Sequence, residues 1–148
     1  MYDSILVPTD GSKTAERTLP HALTLAADND ATVRALSVVD VRSIQAAGAD
    51  GRDGVDAERT ADAEAAVEMA ADRAADEGLD VETAVRHGTP DKEIVKEASE
   101  SDVDVIVIGT DGKTPREKLR ALGSVSERVV DTADVPVFVV KQAAEDAE

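Results

Sequence analysis

The residues best suited to bind a charged group are concentrated in one segment, Gly109 to Glu127, with the sequence GTDGKTPREKLRALGSVSE. Two glycines are followed by a basic stretch and then by Gly-Ser at the predicted start of a helix. The backbone amides of a glycine turn and of a helix N-terminus form a site for anions. Four of the sixteen Lys and Arg residues lie here: Lys113, Arg116, Lys118 and Arg120. In so acidic a chain, this basic segment favours a bound polyphosphate.

A structural interpretation of the same segment stays open. Gly109 and Gly112 would then only turn the chain, Ser124 would only cap a helix, and the basic side chains would pair with surface acids. A P-loop is disfavoured in either case, because that motif has four residues between its first glycine and Gly-Lys-Ser/Thr. Only two residues separate Gly109 from Gly112 and the Lys-Thr pair that follows it.

The elements that would position this segment alternate between strand and helix. Apolar residues recur at helical spacing after the first, second and third strands, and a capping box, Ser124-x-x-Glu127, opens a fourth helix. Gly78 is placed as a C-terminal cap, and Thr89-Pro90 as a helix start. Five short β-branched runs predict the strands: Ser4–Pro8, Ala31–Asp40, Val81–Val85, Asp102–Gly109 and Val135–Lys141.

This alternation predicts an α/β fold, a mostly parallel open sheet with helices on both faces. Ligands of such sheets bind beyond the carboxyl ends of the strands, where the strand order reverses. A site is therefore expected in the loops after the first and fourth strands. Residues 41–56 show no period and carry three glycines, which predicts a flexible surface loop, and residues 142–148 form an acidic tail.

Composition limits the classes of function. A chain of 148 residues with 42% apolar residues fits a single domain, residues 1–148. Thirty-two acidic residues against sixteen basic ones give a charge of −16, so we expect neither nucleic acid nor membrane as a partner. The acids are spread along the whole chain, and Lys is scarcer than Arg, as in proteins of salt-loving archaea. No apolar run approaches the roughly 18 residues of a membrane span, so we expect cytoplasmic residence.

Neither a metal site nor a catalytic centre is predicted. The chain has no Cys, and its two histidines, His21 and His87, are isolated from acids at ligand spacing. No Ser-His-Asp order, HExxH or Gly-x-Ser-x-Gly motif is present, so no nucleophile or general base is assigned.

Four short motifs together resemble the universal stress protein family. They are VPTDGS at the end of the first strand, SVVD at the end of the second, GTP before the third helix, and Gly-x-x-Gly followed at a distance by Gly-Ser-Val. The resemblance spans Ser4 to Lys141, in order and at the usual distances. It implies a five-stranded sheet of order 3-2-1-4-5, similar to that of adenine-nucleotide alpha-hydrolases.

In its nucleotide-binding branch, the resemblance implies ATP or AMP at the switch point, in some members with a divalent ion such as Mg²⁺ or Mn²⁺. Asp10 and the backbone near Val38 would contact the adenine, beside Pro8 and Thr9 of the same turn. Ile108 and Gly109 would lie by the ribose. The phosphates would be held by the loop after the fourth strand and by the helix that follows it, at Gly112, Gly123, Ser124, Val125 and Ser126, with Lys113 either reaching a phosphate or remaining solvated.

The spacing departs from the family's pattern at one point. Family members have nine residues between the second glycine and Gly-Ser/Thr, whereas ten separate Gly112 from Gly123. The extra residue could form a harmless bulge or move Gly112 away from a phosphate, which leaves triphosphate binding open. Asp10 also has a local alternative, because Asp before Gly in a turn commonly bonds its own backbone. Some family members hydrolyse ATP slowly, but nothing in this sequence identifies a catalyst.

The last strand is predicted to be an edge of the sheet. An uncovered apolar edge invites pairing with another chain, and the resemblance implies that two such strands, residues 136–140 of each copy, pair across a homodimer axis. Alternatively, the C-terminal tail covers this edge.

Three other functions compete with that of a dimeric, nucleotide-dependent stress regulator. A dimer of the same family that binds no nucleotide would act through protein partners. An adenylyl-transfer or phosphatase-like enzyme would need a Ser-Gly-Gly loop or a His-x-x-His element after the first strand, and neither is present. A phosphorelay receiver domain would need a phosphorylatable Asp where the third strand ends in Arg86-His87-Gly88.

Overall fold

Five parallel strands form the sheet in a computed structural model that describes residues 2–110 and 124–141. Their order is β3-β2-β1-β4-β5, so the predicted order 3-2-1-4-5 is confirmed. The acidic tail, residues 142–148, lies outside the described residues. The strands are β1 Ser4–Pro8, β2 Thr32–Asp40, β3 Val81–Gly88, β4 Val105–Gly109 and β5 Val137–Val140.

Helices cover both faces of this sheet, because successive residues of a buried strand point to opposite sides. On one side, Ile5 and Val7 pack with residues of α1 and α3, and on the other, Leu6 and Ile106 pack with residues of α4 and α5. None of the helices in the described part of the chain is long and apolar enough to cross a membrane. The helices are α1 Lys13–Asn29, α2 Val41–Ala46, α3 Arg52–Asp76, α4 Pro90–Glu100 and α5 Ser124–Thr132.

Small side chains let α3 lie close to the sheet. The helix buries four alanines and one valine, and its Ala66 Cβ lies 3.5 Å from the position that a Cβ on Gly11 would occupy. Gly11 also has a φ of +78°, which favours glycine there. Helical spacing predicts a buried face at Ala63, Val67, Ala70 and Ala74, and all four are buried, together with Ala66.

The prediction of an irregular loop over residues 41–56 is wrong. Helix α2 occupies Val41–Ala46, and α3 begins at Arg52, within the segment predicted to be a loop. The Asp40 side chain caps α2 by accepting a hydrogen bond from the Arg42 amide at 2.9 Å. Because α2 buries no residue, it leaves no apolar period in the sequence from which a helix could be predicted.

Strand β4 begins three residues later than predicted. Asp102 has a φ of +53°, and the Val103 amide donates to the Ala98 carbonyl at 3.0 Å, so these two residues end α4. Asp104 accepts hydrogen bonds at Oδ2 from the amides of Asp3 and Ser4, at 2.8 and 3.0 Å, and so ties the start of β4 to β1.

A charged network lies beside the apolar packing between α4 and strands β2 and β3. Arg34 is the third residue of β2, and its guanidinium contacts Glu97 and Glu82. Arg86 donates to Glu97 at 2.6 Å and to Glu93 at 2.9 Å. Glu97 is 4% exposed. Burial alone would raise the pKa of the Glu97 carboxyl, but hydrogen bonds from Arg34, Arg86 and Ser101 outweigh it and lower that pKa.

Replacing Glu97 by Gln should destabilise the fold by about 3 kcal/mol at neutral pH, because two half-buried guanidinium groups lose their shared carboxylate. The folded-state pKa of Glu97 lies below its unfolded value of 4.5, so its ion pairs stabilise the fold above that pH. The stability difference between wild type and variant should therefore shrink as the pH falls below 4.5. Urea unfolding in molar KCl measures both effects.

The matched control is Glu100→Gln, since Glu100 also contacts Arg86 but its side chain is 54% exposed. We expect a loss of at most about 1 kcal/mol there. Equal losses for the two variants would contradict the assignment of Glu97 as the centre of the network.

Candidate functional site

Strands β1 and β4 part at their carboxyl ends. Their pairing consists of Ile5 with Val105 and Leu6 with Ile106. The pairing of β1 with β2 continues further, to Pro8 with Leu36, and the Thr9 amide donates to the Leu36 carbonyl at 2.7 Å. The strand order also reverses between β1 and β4, so a crevice opens where ligands of parallel sheets bind.

A cavity of about 660 Å³ lies over this crevice. Its size falls within the range of roughly 300–1,000 Å³ that is typical of small-molecule sites. Gly112, Lys113 and Gly123 lie outside the described residues, and of Ser124 the structure describes only its place at the start of α5. The other eight residues predicted to bind nucleotide all line the cavity: Pro8, Thr9, Asp10, Val38, Ile108, Gly109, Val125 and Ser126.

The turn after β1 is held by its own side chains. The Ser12 amide donates to Asp10 Oδ1 at 2.9 Å, and the Gly11 amide donates to Thr9 Oγ1 at 3.3 Å. Ser12 in turn caps α1 by accepting from the Ala15 amide. The local interpretation of Asp10 is thus confirmed for one carboxylate oxygen. Its Oδ2 makes no hydrogen bond within residues 2–110 and 124–141, and Asp10 lines the cavity.

One side of the cavity is apolar; we call it the apolar half, formed by Leu36, Val38, Ile94, Ile108 and Val125. These side chains belong to the cluster between the sheet and helices α4 and α5. A flat heterocycle could lie against such a surface, because its faces need no hydrogen bonds.

The opposite side is polar; we call it the polar half, formed by Ser12, Thr14, Thr18, Ser37, Arg59 and Asp62. It lies on the side of the sheet that α1 and α3 cover. This half of the cavity was not predicted, since α3 was expected only to cover the sheet. The sequence feature that could have indicated this half is Ser37, a polar residue between apolar neighbours in β2.

Asp40 and Ser43 line the cavity where β2 passes into α2. Asp40 is already engaged by Arg42, whose guanidinium donates to Oδ1 at 2.9 Å and to Oδ2 at 2.7 Å. These hydrogen bonds lower the pKa of the Asp40 carboxyl. Ser43 Oγ donates to the Asp40 carbonyl at 2.7 Å. Both residues therefore fix the wall of the cavity.

Neither histidine lines the cavity. His87 Nε2 lies 3.2 Å from Asp56 Oδ1 and 3.0 Å from Thr60 Oγ1, which joins β3 to the first half of α3. Within the described residues, no three His, Asp or Glu side chains come together as ligands for a metal ion.

Comparison with known proteins agrees with this fold. The model of the universal stress protein family matches residues 1–141. Universal stress protein MJ0531 of Methanocaldococcus jannaschii is 37% identical over 143 residues, which cover 96% of this chain and 84% of that protein.

Two solved structures are similar along nearly the whole chain. The structure of protein MJ0577 is 35% identical in sequence, with a TM-score of 0.86. This match covers 97% of the present chain and 98% of the MJ0577 chain. The structure of the universal stress protein from Archaeoglobus fulgidus in complex with dAMP is 28% identical in sequence, with a TM-score of 0.70. This match covers 95% of the present chain and 98% of the Archaeoglobus chain. This chain therefore belongs to the universal stress protein family.

Proposed function

We propose that this protein binds an adenine nucleotide, ATP or AMP, at the carboxyl ends of β1, β2 and β4. The observation that carries this proposal is the cavity in which eight of the residues predicted to bind nucleotide come together. The dAMP complex of the Archaeoglobus fulgidus relative supports an adenine nucleotide as the class of ligand. In this role the protein is a stress-response regulator whose state depends on the bound nucleotide.

The two ends of the nucleotide meet different surroundings. The base packs in the apolar half, with the backbone at Val38 and the turn at Asp10 beside its edge, while Ile108 and Gly109 flank the ribose. The first turn of α5 contributes Val125 and Ser126 to the cavity, so the positive end of this nine-residue helix lies near a bound phosphate. Gly112, Lys113, Gly123 and Ser124 complete the phosphate site, where Mg²⁺ or Mn²⁺ would accompany ATP.

Calorimetric titration of ATP and AMP, with Mg²⁺ or Mn²⁺, into protein in molar KCl should show micromolar binding. Gly123→Val should weaken it by at least about tenfold, since a branched side chain then occupies the proposed phosphate contact. The matched control is Gly54→Val, because a Cβ at Gly54 would meet no atom within 4 Å. Binding that is unchanged in Gly123→Val would rule out this loop as the phosphate site.

If the wild-type protein binds neither nucleotide, the extra residue between Gly112 and Gly123 has closed the site. The protein would then be a dimer of the same family that acts through protein partners. In that case, charge reversal of Lys113 and Arg116 would leave its function intact.

We also propose a homodimer that pairs two copies of β5. This strand lies at the edge of the sheet, where one side pairs with β4. Its Phe138 is 49% exposed, and Phe138 and Tyr2 are the only aromatic residues of the chain. Pairing with a second β5 would satisfy the edge and cover the phenyl ring.

In molar KCl, light scattering should give a mass near twice the chain's 15.5 kDa. Phe138→Asp should shift the protein towards monomer, because a dimer would bury the new carboxylates close together. Met69→Asp serves as the control, since Met69 is similarly exposed at 44% but lies on α3. A wild-type mass of 15.5 kDa, or equal effects of the two substitutions, would exclude the β5 interface.

We further propose that the protein is adapted to high salt, in the manner of haloarchaeal proteins. Its charge of −16 is spread over exposed helix surfaces, and α3 alone carries several unburied acids, among them Glu58, Glu64, Glu68 and Asp72. At 1 M salt the Debye length is about 3 Å, so repulsion among such acids is largely screened.

The melting temperature should therefore rise between dilute buffer and molar KCl. A variant with Glu58, Glu64 and Glu68 replaced by Gln should depend less on salt, because it has three fewer charges to screen. A melting temperature independent of KCl in the wild type would refute this adaptation.

A further inference from the structure

Ser37 has no partner for its hydroxyl within the described residues. It lies on β2, is 3% exposed and lines the polar half of the cavity. Its oxygen opens into the cavity, because the described residues contain no fully buried side-chain oxygen or nitrogen that lacks a hydrogen-bond partner. The Ser37 hydroxyl is therefore available to a group bound in the polar half.

Helix α3 places a carboxylate on the same half. Arg59 and Asp62 are three residues apart on one face of the helix, and neither forms an ion pair with another residue of the described ranges. The contacts of Thr60 and Asp56 with His87 hold this part of α3 against β3. Asp62 is exposed and lines the cavity at its rim.

Charge decides which part of a nucleotide suits this surface. The polar half holds one carboxylate, Asp62, and one guanidinium, Arg59, and the Asp10 carboxylate also lines the cavity. This surface therefore offers a phosphate group no net positive charge, whereas its hydroxyl and carboxylate oxygens can accept hydrogen bonds from neutral N–H donors. Ser37 and Val38 are consecutive on β2 and face opposite sides, so a base in the apolar half has its edge near the polar half.

We propose that Asp62, together with Ser37, recognises the amino group of the bound base. The Asp62 carboxylate accepts a hydrogen bond from the exocyclic amine of adenine, and the Ser37 hydroxyl forms a hydrogen bond with the same edge of the base. A base with a carbonyl oxygen at that position would place two hydrogen-bond acceptors, its carbonyl oxygen and the Asp62 carboxylate, against each other. Asp62 is thus a specificity residue for amino purines over oxo purines, an inference that rests on the proposed nucleotide binding.

The test compares AMP with inosine monophosphate (IMP), which has a carbonyl oxygen in place of the amine. Calorimetry in molar KCl should show wild-type protein preferring AMP by about tenfold or more, the value of a hydrogen bond to a charged group. Asp62→Asn should lose most of this preference, because the Asn amide can accept a hydrogen bond from the amine of AMP and can also donate one to the carbonyl oxygen of IMP. Ser37→Ala, which removes only the hydroxyl, should weaken AMP binding severalfold without improving that of IMP.

The control is Asp72→Asn, an equal loss of charge at an exposed position of the same helix that does not line the cavity. It should keep the wild-type ratio of AMP to IMP affinity. Equal affinities in the wild type, or a ratio that Asp62→Asn leaves unchanged, would overturn the role of Asp62 while nucleotide binding stands. Failure of the wild type to bind either nucleotide would overturn the proposed function, and this inference with it.

Discussion

The parting of β1 and β4 is the constraint on which the site depends. The chain first builds the sheet outward from β1 through β2 to β3, then crosses over to place β4 on the other side of β1. After two residue pairs the two central strands separate, while β1 stays bonded to β2 as far as Thr9. The ends of three strands and the starts of four helices, α1, α2, α4 and α5, thus surround one cavity.

Side-chain size determines how closely the walls of that cavity approach. Ala63 and Ala66 let α3 lie on the sheet near Gly11, which brings Asp62 to the rim of the cavity. On the other face, α4 is held by apolar contacts of Ile94 and also by the ion pairs of Glu97. A buried network of this kind is a weak source of stability but penalises any misplacement of α4, because charges would then lose their partners.

Sequence patterns predicted the strands, the buried face of α1 at Leu19, Ala22, Leu23 and Ala26, and the turn at Asp10, because each leaves a periodic or turn signal. They could not predict α2, which buries no side chain. Nor could they predict that Arg34 and Arg86 share Glu97, since ion pairs 63 and 11 residues apart leave no local pattern. The polar half escaped prediction for the same reason, because Ser37 and Asp62 line one cavity only through the packing of α3 on β2.

Amide chemical shifts of ¹⁵N-labelled protein, followed during titration with AMP in molar KCl, test the central claim most directly. A nucleotide in the crevice predicts saturable shifts that are largest at Thr9, Val38 and Gly109, at the ends of β1, β2 and β4. Thr83, exposed on the far edge strand β3, should change little. Shifts that do not saturate, or that concentrate on β3, would contradict a nucleotide site where the central strands part.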